Sequence, residues 1–235
     1  MTSTRHILTV AGASFALAAS ANAQFISPTE WARPADKDVS AATNTTYQEW
    51  DGFRNGYSEN IDPDVTANAP DVEDVNGFGV ADLNQTTLGG FPTTTGNIYS
   101  FSSVNTFIIE VPGPDDALDV PGVGTNVLLQ IKTLGSEFDQ NSVTVNGEPS
   151  STFVDFTIEE LARDAADSPF GGAEVFTAIS FFVPDVTDDF LLGFDAQFSS
   201  LSLDRAVLDT FTIVPEPGVL SVLAGGLLLV RRRRG

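Results

Sequence analysis

Cysteine is absent from the 235 residues, so no disulfide can staple the fold and no thiolate can act as nucleophile or metal ligand. The single histidine is His6. It lies in an N-terminal leader described below, and the body that follows has no imidazole. That excludes Ser-His-Asp and Cys-His catalysis, histidine-ligated zinc and imidazole acid–base chemistry. Cations are scarce. Of eleven Lys and Arg, Arg5 and Arg231 to Arg234 sit in terminal segments, which leaves Arg33, Lys37, Arg54, Lys132, Arg163 and Arg205. Against these six stand 31 of the 32 carboxylates, all but Glu216, so residues 24–214 carry a formal charge of −25. Such a surface repels nucleic acid, acidic polysaccharide and anionic lipid, and it attracts divalent cations. Nucleic-acid binding is excluded on this ground.

What is present begins with a leader. Arg5 and His6 give a positive start, Ile7 to Ala19 an apolar run, and Ala21-Asn22-Ala23 a small-residue cleavage pattern before Gln24. Residues 1–23 therefore read as a secretory signal peptide, a helix removed on export. At the other end, Val214-Pro215-Glu216-Pro217-Gly218 precedes the apolar run Val219 to Val230 and the block Arg231, Arg232, Arg233 and Arg234. Pro215 and Pro217 fix φ and remove two backbone donors, so the chain around Glu216 runs extended and exposed, as a protease requires of a bound strand. The apolar run, as a hydrophobic helix, partitions into a bilayer, and the arginines act as a membrane stop on the cytoplasmic side. Twelve residues make a helix of about 18 Å against about 30 Å of hydrocarbon, so a span needs arginine snorkelling.

These three parts, in this order, resemble the PEP-CTERM sorting signal of bacterial surface proteins. The resemblance covers about a tenth of the chain. It implies processing at Pro215-Glu216-Pro217 by a membrane transpeptidase-like enzyme, an exosortase, after transient residence in the inner membrane. It also implies a destination at the cell surface or in an extracellular polysaccharide matrix. It does not say what the body does.

Residues 24–46, with Pro28, Pro34 and Asn/Thr/Ala clusters, read as an extended lead-in. From 47 to 214 the chain is long enough for one domain with its own core. Thr45 to Phe53 is the first predicted strand, with Tyr47, Glu49, Asp51 and Phe53 on one face and Gln48 and Trp50 on the other. A long acidic loop, Arg54 to Val75, follows. Alternating apolar patterns then predict strands at Phe78–Leu83, Ile98–Phe101, Thr106–Val111, Asn126–Leu134, Ser142–Val145, Thr152–Ile158, Val175–Val183, Phe190–Phe198 and Leu203–Val214. Gly and Pro turns separate them, and Asn146-Gly147 signals a hairpin. Ile158 to Ala166 reads as the one short helix, with Glu159 and Glu160 in its first turn, Arg163 later and Pro169 beyond its end. The pattern predicts an all-β, antiparallel sandwich of jelly-roll type, with the eighteen phenylalanines filling the space between sheets.

Two chemistries are available to such a body. Carboxylates cluster in the predicted loops at Asp62 and Asp64, Asp71 to Asp74, Asp115 and Asp116 with Asp119, and Asp185 with Asp188 and Asp189. Calcium takes six to eight oxygens from such loops, so structural calcium is the one cofactor expected, although no cluster has the EF-hand spacing. Aromatic platforms for sugar are the second, because a ring face packs on a pyranose while Asp and Asn take its hydroxyls. The rings considered are Trp31, Tyr47, Trp50, Tyr57 and Tyr99, with Trp31, Trp50 and Tyr57 singled out. The expectation is a non-enzymatic structural or carbohydrate-binding protein whose partners are an exosortase and extracellular polysaccharide. The alternatives are a glycan-active enzyme using two carboxylates as acid and base or nucleophile, or an adhesin recognising protein.

Overall fold

The computed structural model describes residues 45–56, 68–74, 79–113, 123–165, 172–184 and 188–213. The leader, the lead-in up to residue 44 and the tail from residue 214 lie outside them. The described chain is almost entirely strand: β1 (Thr45–Trp50), β2 (Val72–Asp74), β3 (Asp82–Gln85), β4 (Phe91–Pro92), β5 (Ile98–Tyr99), β6 (Thr106–Val111), β7 (Gly124–Gly135), β8 (Thr144–Val145), β9 (Glu148–Pro149), β10 (Val154–Ala165), β11 (Ala173–Pro184), β12 (Phe190–Asp195) and β13 (Leu201–Ile213). One 3-10 turn, Ser150–Thr152, interrupts the series.

Two antiparallel sheets result. The larger runs β10-β11-β7-β13-β1-β2, with β5 paired to β13 and β4 to β5; the smaller runs β3-β6-β12-β8-β9. Alternation places the core as expected. Val127, Leu129 and Ile131 of β7 and Ile179, Phe181 and Val183 of β11 meet Phe107, Ile109 and Val111 of β6 and Phe190, Leu192 and Phe194 of β12 in one buried cluster. Phe107 and Phe194 stack with centroids 5.1 Å apart. Each such side chain contributes about 1.5–3 kcal/mol on full burial.

The central strand β13 changes phase partway. Leu201 and Leu203 are buried in the core, as are Ala206 and Leu208, although an odd and an even series cannot share a face of a regular strand. Between Leu203, opposite Thr133, and Arg205, opposite Lys132, the register shifts by one residue at Asp204. That bulge lets both halves of the strand face inward.

The predicted helix is absent. Residues 158–165 belong to the twelve-residue edge strand β10, paired with β11 from Val154 to Ala165. Glu-Glu-Leu-Ala-Arg favours helix locally, but Phe153, Phe156 and Ile158 pack on the core and the ladder to β11 overrides propensity. A register shift between Glu160 and Ala162 explains why the Glu160–Arg163 spacing looks helical: the extra residue turns both side chains to one face. Arg163 grips Glu137 with Nη1 and Nη2 at 2.6 and 2.9 Å and Glu160 with Nε and Nη2 at 2.9 and 2.6 Å.

Other boundaries move. The Phe78–Leu83 segment becomes β3 four residues later, Ile98–Phe101 shortens to Ile98–Tyr99, and β2, β4 and β9 are short strands not anticipated. The Asn146-Gly147 turn forms as expected, with both φ values positive, and joins β8 to β9.

The hydrogen bonds from Arg163 hold the Glu137 carboxyl below its ordinary value, burial acting against them and the charge of Arg163 adding to them. A depressed carboxyl stabilises the fold above the unfolded value of 4.5 and loses that contribution as pH falls through the lower folded value. Arg163→Met should therefore lower stability at neutral pH, and its deficit relative to the parent should shrink on acidification below 4.5. Urea unfolding across that range measures the gap; a constant gap refutes the assignment.

Candidate functional site

The site candidate is an exposed aromatic cluster at one end of the two sheets. Phe91 and Pro92 of β4 pair with Tyr99 and Ile98 of β5, and β5 pairs in turn with Ser202 and Leu203 of β13. Ile98 is fully buried and anchors this small hairpin in the core. Alternation then directs Tyr99 the other way. The connecting turn is tight. Thr93 and Asn97 bond through their backbones at 2.8 Å and Gly96 N–H donates to Thr93 at 3.1 Å. Gly96 takes φ +90°, and a side chain there would also press on Gly52. Phe53 N–H donates to the Gly96 carbonyl at 2.7 Å, which locks the hairpin to the chain leaving β1.

On this base three rings form one assembly. Phe91 and Phe101 stack at 5.7 Å and 29°, and Tyr99 meets Phe91 edge-on at 6.1 Å and Phe101 at 4.7 Å. Phe91 is 39% and Phe101 66% exposed. Ser200 N–H donates to the Ser100 carbonyl at 2.9 Å, bringing in the loop that carries Phe198, itself 64% exposed. Beneath, Gln85 Nε2 donates to Asn105 Oδ1 at 3.0 Å and to the Thr87 carbonyl at 2.8 Å, and Asn105 Nδ2 donates to Leu201 at 3.2 Å. A buried amide network therefore fixes the loops that present the rings. The Thr93 and Thr95 hydroxyls, 2.8 Å apart and exposed, lie in the hairpin turn.

The residues singled out from sequence fare differently. Trp50 is fully buried, with Nε1–H donating to the Asn68 carbonyl at 2.6 Å. It is a core residue and offers no face to a sugar. Tyr47 lies on the outer face of the larger sheet and donates to Glu49. Tyr99 belongs to the cluster. Trp31, Tyr57, Asp62, Asp64, Asp115, Asp116 and Asp185 lie outside the described residues, as do Pro215 to Pro217 and Arg231 to Arg234. Asp188 and Asp189 are described: Asp189 Oδ1 accepts from Gly113 N–H at 2.8 Å, and a side chain on Gly113 would collide with the Asp188 backbone. Gly113, two residues before Asp115 in the sequence, thus meets the chain at Asp188 and Asp189. Among the described residues no three His, Cys, Asp or Glu side chains converge to hold a metal, and no helix is long and apolar enough to cross a membrane.

Phe91 and Phe101 were not anticipated, because phenylalanine was assigned to the core. Phe91 carried a local signal, lying among Gly, Pro and Thr outside any alternating run, whereas Phe101 ends the predicted strand Ile98–Phe101 and carried none. Comparison of the chain with protein-family profiles, curated proteins and solved structures finds no match.

Chemically, the cluster offers stacked rings and the Tyr99 hydroxyl. The burial of Trp50 gives a direct test. Trp50→Phe removes one of two donors to the buried Asn68 carbonyl, Leu83 N–H remaining at 3.1 Å, and should cost about 0.5–1.5 kcal/mol, read by urea unfolding, with the fold retained. No loss would contradict a structural role.

Proposed function

We propose that the chain is an exported, jelly-roll-type β-sandwich that binds glycan at the cell surface or in an extracellular polysaccharide matrix through the Phe91–Tyr99–Phe101 cluster. The observation that carries this reading is the exposure of stacked rings on a rigid hairpin. Apolar rings left in water by a well-packed protein mark an interaction surface, and ring faces with neighbouring hydroxyls suit the C–H face and hydroxyls of a sugar. The strand order supports the finer fold: β1-β13-β7-β11 opposite β6-β12-β8-β9 follows the double Greek-key order of a jelly roll, with β2, β3 and β10 added at edges. Fold alone carries no function.

The export half of the reading rests on sequence. A leader ending at Ala23 and a PEP-CTERM-like tail at Pro215-Glu216-Pro217 send the body out of the cytoplasm, with an exosortase-type enzyme as the processing partner and the inner membrane as a transient anchor. The formal charge of −25 on residues 24–214 sets the glycan class: a neutral polysaccharide, since an acidic one is repelled.

A calcium ion is proposed as a structural cofactor taken by carboxylates among Asp115, Asp116, Asp185, Asp188 and Asp189, and what favours it is the Gly113–Asp189 hydrogen bond, which joins described residues adjoining the two clusters in sequence.

Two outcomes follow. The protein should migrate more slowly in a native gel containing a neutral soluble glucan and unretarded in one containing a polyuronate. Phe91→Ala with Phe101→Ala should weaken the retardation about tenfold, the loss of about 1.4 kcal/mol, while the melting temperature holds; full retention in that variant defeats the proposal. Calcium should raise the melting temperature and chelation reverse it, and Asp189→Asn should blunt the response. An identical melting curve with calcium and with chelator rules the ion out.

A further inference from the structure

Half of the exposed large apolar side chains among the described residues gather at one end of the two sheets. β3 and β12 end there and β6 and β13 begin there, so the loops 86–90, 100–105 and 196–200 are neighbours. They carry Leu88, Phe101, Val104 and Phe198, with Phe91 beside them on β4; Leu88 is 68% and Val104 45% exposed. The loops are fixed to one another. Thr86 N–H donates to the Thr106 carbonyl at 2.9 Å, Thr106 N–H to the Thr87 hydroxyl at 2.8 Å, and Ala196 N–H to the Asn105 carbonyl at 2.7 Å. Gly90 lies against the Gln85 amide, and Gly56 against the backbone of Gly90 and Phe91, with no room for a Cβ at either. A rigid mount therefore holds the apolar groups out in water.

Charge is missing from the same loops. Leu83 to Ile109 and Ala196 to Leu203 contain no Asp, Glu, Lys or Arg, although about one residue in five is charged across residues 24–214. At the border Gln197 N–H donates to the Glu137 carbonyl at 2.8 Å, and there Arg163 balances the Glu137 carboxylate. The polar side chains that these stretches expose, Thr94, Thr95, Ser102 and Gln197, are neutral. An uncharged end lets an otherwise acidic body approach an uncharged partner closely. Shape narrows the partner further. A small-ligand site is concave and encloses about 70–90% of its ligand, whereas side chains standing out on three loops wall in nothing and meet one face of a larger body. A bilayer is one such body, but interfacial anchoring draws on Trp, Lys and Arg, and none stands in these stretches.

We propose, resting on the glycan reading above, that the binding surface extends from the three rings across Leu88, Val104 and Phe198, and that its ligand is neutral polysaccharide packed into an insoluble particle. Chains lying side by side present many C–H faces and hydroxyls at once, and several contacts then act together. A short free oligosaccharide gains little at such a surface, because it keeps its other face in water and loses conformational freedom for a one-sided contact.

The full chain should be depleted from solution by microcrystalline cellulose or by an insoluble (1→3)-glucan, and depletion should persist in about 1 M sodium chloride, where ion pairs are screened. An excess of a neutral glucotetraose should not compete. Leu88→Ser with Val104→Ser and Phe198→Ser should weaken the depletion about tenfold, while the melting temperature and the retardation by soluble glucan hold, since the three rings remain. Phe198→Ser alone repeats the measurement if the triple variant does not fold. Undiminished depletion of the variant overturns the extension and leaves the ring cluster standing. So does full competition by the tetrasaccharide, loss of depletion in salt, flotation with phosphatidylcholine vesicles in place of depletion, or no depletion of a chain that soluble glucan retards. A chain that neither particle depletes nor soluble glucan retards defeats the glycan reading itself, and this inference with it.

Discussion

Both sheets depend on the single extra residue at Asp204. β13 is the strand on which β7, β1 and β5 all pair, and it supplies Leu201 and Leu203 to the core from one half and Ala206 and Leu208 from the other. A regular strand would have turned one of those pairs outward, because a one-residue slip exchanges the two faces. The bulge also aims Asp204 at Lys132, Nζ to Oδ2 2.7 Å, while Glu174 approaches the same ammonium at 3.4 Å. Burial alone would lower the Lys132 pKa; the Asp204 hydrogen bond and the charges of Asp204 and Glu174 outweigh it and hold it above the usual lysine value. Next to it Arg205 bonds Glu49, tying β13 to the outer face of β1. The irregularity that aligns the core therefore also organises most of the described cations on that sheet.

The margins are built against unwanted pairing. β10 is a long edge strand, the usual template for edge-to-edge association. Two register shifts break its ladder, and Asp155, Glu159, Glu160 and Asp164 line it with charge. At the other margins β2 has three residues, β9 two, one of them Pro149, and β3 four, with Asn68 bridged to its Leu83, so none presents a long open edge. With edges closed and a strongly negative surface, the exposed rings of Phe91 and Phe101 stand out as a place where favourable association can occur by apolar contact.

How that cluster arises shows why sequence reading missed it. Tyr99 was recognised as an available ring, whereas Phe91 and Phe101 were absorbed into the count of core phenylalanines. Nothing in the identity of a phenylalanine separates core from surface. Here Ile98 takes the inward position, so Tyr99 must face out, and the hairpin then carries Phe91 to its side. Trp50 is the opposite case: a ring that looked suited to sugar lies on the inward parity of β1, with Gln48 and Thr46, and its indole N–H completes the Asn68 turn. In β10, charges at helical spacing were real contacts, produced by a bulge in a strand.

The sequence by itself determined the all-β character, through period-two apolar runs and frequent Gly and Pro turns, and it located most long strands to within a few residues. It determined the charge, the absence of cysteine and the confinement of histidine to His6, because these are properties of residue identity and order along the chain. The tertiary structure decided which strands pair, where β13 changes phase, that Glu160 and Arg163 lie on a strand, that Trp50 is inside, and that Phe91, Tyr99 and Phe101 meet. Those outcomes depend on contacts between segments far apart in sequence, where the free energy of burial overrides local preference and a single bulge reassigns every side chain beyond it.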